Sequence, residues 1–269
     1  MIKSDFHSHS NFSGDSQTSM ELMVQKAISL SLQQLCITEH HDIDMIPAEE
    51  GISFLLDFES YIKQYSFIKN KYADNIDLLL GIEIGIQPHL ISELSSIINS
   101  FPFDFVICSS HIVAGLDPYF PEYFLDKTQK EAYTIYFQDV LKNIKLFNNF
   151  DVYGHLDYII RYGNYTHKTY NYSDYSDIFS EILKTIIQNG KGIELNTSGY
   201  RYNLGQPHPS FEIISEYKRL GGEIITVGSD AHVPEQICNN FDLAEAVLKK
   251  AGFNYYTIFK SRTPEFVKI

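Results

Sequence analysis

The sequence predicts an α/β fold in which parallel strands alternate with helices around one core. Three observations predict it. Seven short apolar runs recur along the 269 residues. The stretches between them carry helical periodicity, with apolar residues three and four apart. Hydrophobic residues make up 44% of the chain, ample for one large core at this length. Strand and helix repeated in this way imply right-handed parallel β/α units. Such units close into a barrel or spread into an open doubly wound sheet, and periodicity alone permits both. No internal repeat or Gly/Ser-rich linker divides the chain, so residues 1–269 are expected to form one domain.

In order, the first strand is expected at Ile2–Phe6. Thr18 is the N-cap candidate for a helix over Met20–Leu30, with Glu21 three residues on as a capping box. Met20, Met23, Val24, Ala27 and Ile28 share one face of that helix. Strands follow at Gln34–Thr38, Leu78–Gly85, Phe103–Ser109 and Asp151–Gly154. The segment Tyr162–Tyr175, rich in Tyr, Asn, Ser and Thr, reads as a surface insertion rather than a cover over a site. Helices over Ile178–Ile187 and Phe211–Leu220 stop at Gly190 and Gly221. Strands at Gly192–Asn196 and Glu223–Gly228 follow them, and Tyr255–Phe259 is a candidate extra strand.

Composition bounds the function. The net charge of -13 opposes sequence-independent binding to nucleic acid, and no run of lysines and arginines builds a basic track. Small anionic substrates remain compatible, because bound cations reverse the local potential. The three cysteines, Cys36, Cys108 and Cys238, give no disulfide framework. Cys36 and Cys108 sit in apolar runs and read as buried thiols. No signal-peptide region and no apolar stretch of spanning length is seen, so a cytoplasmic protein without membrane contact is expected.

The chemistry lies at the strand ends. His7 and His9 follow the first strand, and Glu39, His40, His41 and Asp42 follow the second. Glu83 ends the third, His111 follows the fourth and His155 the fifth. Glu194 and Asn196 end the sixth, while Asp230 and His232 follow the seventh. Leaving His41 aside, six of the ten histidines thus fall just beyond predicted strand ends as candidate ligands. In a parallel barrel those ends share one rim, so residues far apart in sequence converge. In extended chain, residues two apart face the same side, so His7 with His9, and Asp230 with His232, can share an ion. Imidazole with carboxylate suits Zn, Fe or Mn. His41 lies near enough to back the ligands or to meet substrate, whereas His89, His167 and His208 read as surface residues.

These residues resemble the polymerase and histidinol phosphatase (PHP) superfamily. The carriers are Asp-Phe-His-Ser-His at 5–9, Thr-Glu-His-His at 38–41, Gly-Ile-Glu at 81–83, Ser-Ser-His at 109–111, Gly-His-Leu-Asp at 154–157 and Gly-Ser-Asp-Ala-His at 228–232. Asp-Tyr-Ile-Ile-Arg-Tyr at 157–162 and Asn-Thr-Ser-Gly-Tyr-Arg at 196–201 look like segments of its monofunctional histidinol-phosphate phosphatases. The resemblance implies a distorted (β/α)7 TIM-like barrel and two or three divalent metal ions. The first would use His7, His9, Glu83 and Asp230. The second would share Glu83 and add His111 and His155. The third would use Asp15, His40 and His232, with Asp15 standing where many members have His. The implied enzyme is a metal-dependent phosphoric monoester hydrolase of histidine biosynthesis. It would cleave L-histidinol phosphate by attack of metal-activated hydroxide.

Arg161 and Arg201 are the candidate phosphate clamps, because a guanidinium fork matches phosphate geometry. Glu83 and Asp230 join them as the catalytic set. Substrate contacts are Arg161, Arg201 and His41, with His41 also a candidate proton donor. Glu39, Asp42 and Asp157 are candidates for the substrate's amine and imidazole. Competing readings are a phosphodiesterase or exonuclease of the same superfamily, another small-molecule phosphatase, an amide hydrolase, and a non-catalytic metal-binding protein. The oligomeric state is not legible in the sequence.

Overall fold

The computed structural model describes residues 2–269. Strands β1 (Ser4–Asp5), β2 (Gln34–His41), β3 (Asp77–Gly85), β4 (Phe105–Ser109), β5 (Val152–Tyr153), β6 (Gly192–Asn196) and β7 (Ile225–Gly228) lie side by side in chain order. Every neighbouring pair is parallel. Beyond β7 the chain returns to β1. Phe6 N donates to Val227 O at 3.0 Å, Asp230 N to His7 O at 2.8 Å and His9 N to Ala231 O at 2.8 Å. These bonds close the sheet, so the choice between barrel and open sheet falls to a distorted seven-stranded barrel.

Helices α1 (Met20–Ser29), α2 (Phe58–Lys71), α3 (Ile91–Ser100), α4 (Gln129–Leu146), α5 (Ser176–Gln188), α6 (Ser198–Arg201), α7 (Phe211–Arg219) and α8 (Phe241–Ala251) occupy the connections. Helix α1 buries Met20, Met23, Val24 and Ala27, the face its spacing predicts, while Ile28 packs at the core edge. Its cap differs from expectation. Ser19, in extended backbone, is the N-cap and its hydroxyl accepts from Leu22 N at 3.4 Å. Thr18 is instead drawn aside by its carbonyl, which accepts from Asn11 N at 2.7 Å. Glu21 accepts from Lys71 and Tyr72 rather than completing a capping box. A capping box does form at α4, between Thr128 and Glu131.

Two further differences bear on the site. Strand β2 runs to His41, three residues past its expected end, because its ladder with β3 continues to the His40–Glu83 and His41–Ile84 pairs. Strand alternation therefore sends His40 inward beside Glu83 and His41 outward. The segment Tyr162–Tyr175 is also more than an insertion. Tyr170 packs on Phe137 of α4, and Tyr172 stacks on Phe179 of α5.

Strand β8 (Tyr255–Lys260) is the anticipated extra strand, but it pairs antiparallel with an unanticipated β9 (Thr263–Lys268). This hairpin crosses the N-terminal ends of the barrel strands. Tyr256 Oη lies 3.3 Å from Ser4 Oγ of β1, and Arg262 Nε donates to Asp151 at 2.5 Å, just before β5. The opposite, C-terminal rim stays free for a site. Cys36 and Cys108 are buried and Cys238 is half-buried, none of them paired. Among the described residues, no helix is long and apolar enough to cross a membrane.

Candidate metal centre and active site

Glu83 projects from near the C-terminal end of β3 into the barrel and is fully buried. Its Oε1 lies 2.9 Å from His155 Nε2 and 3.4 Å from His111 Nε2. Its Oε2 lies 3.1 Å from His7 Nε2, 3.0 Å from His40 Nδ1 and 3.6 Å from His9 Nε2. Five imidazoles from four different strand ends thus face one carboxylate. Asp230 completes the group, with Oδ1 3.8 Å from His7 Nε2 and 3.6 Å from His9 Nε2. On the solvent side, Asp15 Oδ2 lies 3.1 Å from His232 Nε2 and 3.6 Å from His40 Nε2. All nine residues expected as metal ligands therefore meet at the rim.

The surrounding chain fixes their orientation. Glu194, at β6, accepts from His7 Nδ1 at 2.6 Å and from His155 N at 2.9 Å. Gly228 leaves room for that carboxylate, since a Cβ there would collide with Glu194 and His7. Asp42 lies 2.7 Å from His111 Nδ1. Glu39 accepts from Ser13 Oγ at 2.5 Å, and that hydroxyl lies 3.2 Å from His9 Nδ1. Carboxylates behind imidazoles of this kind set the tautomer and raise ligand basicity.

Electrostatics support a cation here. Burial alone would raise the carboxyl of Glu83, yet His7, His40 and His111 hold it well below its usual range. Asp230 is likewise held low against its burial by Arg161 and His7. Burial and then His40 and His232 push His9 down to about 3. His111, despite burial, is raised to about 10 by Asp42 and Glu83. His9 Nε2 is the telling atom: it is buried, has no hydrogen-bond partner among the described residues, and stands 3.6 Å from both Glu83 and Asp230. A nitrogen acceptor left bare between two ionised carboxylates is a donor set that a divalent cation satisfies. Among the described residues, four groups could hold one: His7–His9–Asp230, His7–Glu83–His155, His40–Glu83–His111 and His9–His40–His232.

Above the cluster opens a cavity of about 450 Å³, lined by Arg161, Arg201, Tyr158, Tyr162, Tyr202 and Asp117 among others. Arg161 is buried and donates through Nη2 to Asp230 Oδ2 at 2.8 Å and Ser198 Oγ at 2.5 Å. Its guanidinium stays charged, since Asp230 outweighs the loss of solvent. Arg201 donates through Nη1 and Nη2 to the carbonyls of Ser229 at 2.5 Å and Asp230 at 2.6 Å.

Several expected roles are corrected. His41 does not line the cavity: its Nδ1 accepts from Leu56 N at 3.2 Å and its ring lies on Phe58, as strand parity dictates. That excludes it as substrate contact and proton donor. Glu39 and Asp157 are fully buried and committed to protein donors, so neither forms an acidic rim; Asp42 alone of those three lines the cavity. His208 is not at the surface. It is fully buried between Asp157 and Arg161. Its place six residues beyond a tyrosine-rich turn carries no periodic signal, so sequence spacing alone passed it over. His89 is exposed beside Asp44, and His167 is exposed.

Comparison with known proteins follows the same residues. The PHP domain family matches residues 5–198. A histidinol-phosphatase from Lactococcus lactis is 34% identical over 260 residues, covering 96% of this chain and 95% of that protein. The crystal structure of the histidinol phosphate phosphatase of that organism, complexed with zinc, L-histidinol and phosphate, superposes with a TM-score of 0.90 at 33% identity, covering 98% of each chain. A solved structure from Listeria monocytogenes shares the fold with a TM-score of 0.76 at 20% identity, covering 90% of this chain and 99% of that one.

Proposed function

The chain belongs to the PHP domain family, and from that premise we infer that it is a histidinol-phosphatase, hydrolysing L-histidinol phosphate to L-histidinol and phosphate. The observation that carries the reading is the ring of imidazoles around buried Glu83, directly beneath a cavity with two arginines in its wall. Similarity to relatives acting on this substrate supplies the substrate's name. We take residues 1–269 as one catalytic unit, placed in the cytoplasm, where three unpaired thiols fit a reducing milieu.

The residues present suit two or three divalent ions of the Zn, Fe or Mn type. His7, His9, Asp230 and Glu83 would hold one, and Glu83, His111 and His155 a second. Asp15, His40 and His232 would hold a third, with His40 also reaching Glu83. Such ions, when bound, supply water of lowered pKa and positive charge for phosphoryl oxygens. The chain's own residues do the rest. Arg161 offers a fixed, permanently charged donor to phosphate. Arg201 holds the carbonyls beside Asp230 and borders the same cavity. Tyr158, Tyr162 and Tyr202 form aromatic walls able to enclose a small ring and exclude water. With a net charge of -13, the chain is poorly matched to a polynucleotide.

Turnover of purified, metal-analysed protein tests this reading. L-histidinol phosphate should be hydrolysed far better than unrelated monoesters, a chelator should abolish turnover, and zinc or manganese should restore it. Glu83→Gln should lower kcat/KM by on the order of a thousandfold or more while the protein still folds. Broad activity that spares L-histidinol phosphate would keep the chemistry and remove the named substrate.

A further inference from the structure

We propose that His208, held by Asp157, is a positioning residue that aims the Arg161 guanidinium at the phosphoryl group of the substrate. The inference rests on the phosphatase reading above. Arg161 Nε donates to His208 Nε2 at 3.2 Å, and Nη2 is taken by Ser198 and Asp230. The rings of Tyr158 and Tyr202 lie over the guanidinium at 4.8 and 4.6 Å. Among the described residues, Nη1 has no hydrogen-bond partner, and Arg161 borders the cavity. Nη1 is therefore the donor left for an anion.

The tautomer follows from the partners. An arginine Nε can only donate, so His208 Nε2 must accept. The N–H of the neutral ring is then at Nδ1, which donates to Asp157 Oδ1 at 2.6 Å. Asp157 is fixed in turn, because its Oδ2 accepts from Ser210 N at 3.1 Å and Tyr170 Oη at 2.9 Å. Asp157 and His208 are fully buried and neither lines the cavity, so both act only through Arg161. A main-chain N–H at the start of α7 thus sets the direction of an arginine at the site through two side chains.

Asp157→Asn tests the chain of bonds with almost no change in volume. Ser210 N–H needs an acceptor, so the amide oxygen stays at the Oδ2 position and the amide NH2 faces His208 Nδ1. The ring must then carry its proton on Nε2, where it opposes Arg161 Nε–H. In zinc-loaded enzyme of verified metal content, Asp157→Asn is expected to raise the Ki of inorganic phosphate and the KM of p-nitrophenyl phosphate about tenfold or more. Histidine 15N NMR should show His208 as the Nδ1–H tautomer in the parent and the Nε2–H tautomer in the variant. His208→Gln keeps an acceptor for Arg161 and should hold the phosphate Ki within about threefold, whereas His208→Leu should lose it. An Nε2–H tautomer in the parent overturns the inference without any variant. So does an unchanged Ki in Asp157→Asn, or equal loss in the Gln and Leu variants. A parent that neither cleaves p-nitrophenyl phosphate nor is inhibited by phosphate removes the phosphatase reading and this inference together.

Discussion

Asp230 adopts a left-handed backbone, with φ of 54°, which a non-glycine residue rarely does without outside support. The support is visible. Its N–H is held by His7 O, and its own carbonyl and that of Ser229 are held by Arg201. The turn aims the Asp230 carboxylate back toward His7 and His9. Arg201 therefore touches the site from two sides, as cavity wall and as clamp on a ligand's backbone. Arg201→Ala should lower metal retention as well as activity, with kcat/KM falling about tenfold to a hundredfold. Metal analysis after gel filtration separates the two roles: weaker phosphate inhibition with full metal content would leave only the wall. Eight of the nine ligand candidates were legible because each ends or closely follows an apolar run, where a charged or imidazole side chain has no packing reason to sit; Asp15, in a polar loop, came only from the family resemblance. Arg201's hold on two carbonyls was not legible, since nothing local in the sequence encodes which carbonyls a long side chain reaches. His41 misled for another reason: β2 runs on past Thr38 to His41, and alternation along those added residues turns His40 inward and His41 outward.

Helix ends show how much local sequence decides. Helix α7 closes in a Schellman arrangement: Gly221 N donates to Lys218 O at 3.0 Å and Gly222 N to Tyr217 O at 2.9 Å. Gly221 has φ of 93° and nothing near the position of an added Cβ. Gly221→Ala therefore isolates the backbone term, and should cost about 1–2 kcal/mol of unfolding free energy with no effect on kcat. Urea denaturation and steady-state kinetics check both halves; a loss of activity without a loss of stability would contradict it. Such stops, and the seven strands, were legible because barrel strands are apolar on both faces and glycine marks the left-handed exit. The α1 cap was less so. Thr18 and Ser19 are both competent caps, and the choice between them is made by a loop carbonyl contact that adjacent residues do not reveal.

At the scale of the whole molecule, the barrel is open to substrate at one end and plugged at the other. The plug is the β8–β9 hairpin, whose two-residue turn places Ser261 at φ 46° and Arg262 at φ 64°. Neither is the Asn-Gly type that such a turn favours, which is why the sequence did not announce β9. Tertiary bonds impose the turn instead. Ser261 N donates to Asp104 Oδ1 at 3.0 Å, Arg262 N to Asp104 O at 2.9 Å, and Arg262 Nε to Asp151 Oδ2. Asp151 is nearly buried, and its carboxyl is raised by burial despite the opposing pull of Arg262. Arg262→Ala leaves that carboxylate with Val106 N as its remaining donor among the described residues. The change should cost about 2–3 kcal/mol, read as a lower urea midpoint at unchanged slope. Because Asp104 and Asp151 precede β4 and β5 while His111 and His155 follow them, the two ends of the barrel are separated by the full strand layer. KM and kcat for L-histidinol phosphate should therefore stay within about twofold of the parent, as distant sites act additively. A fully folded Arg262→Ala protein with impaired turnover would instead mean that strand register, set from the plug, reaches through β4 and β5 to the ligands at the rim.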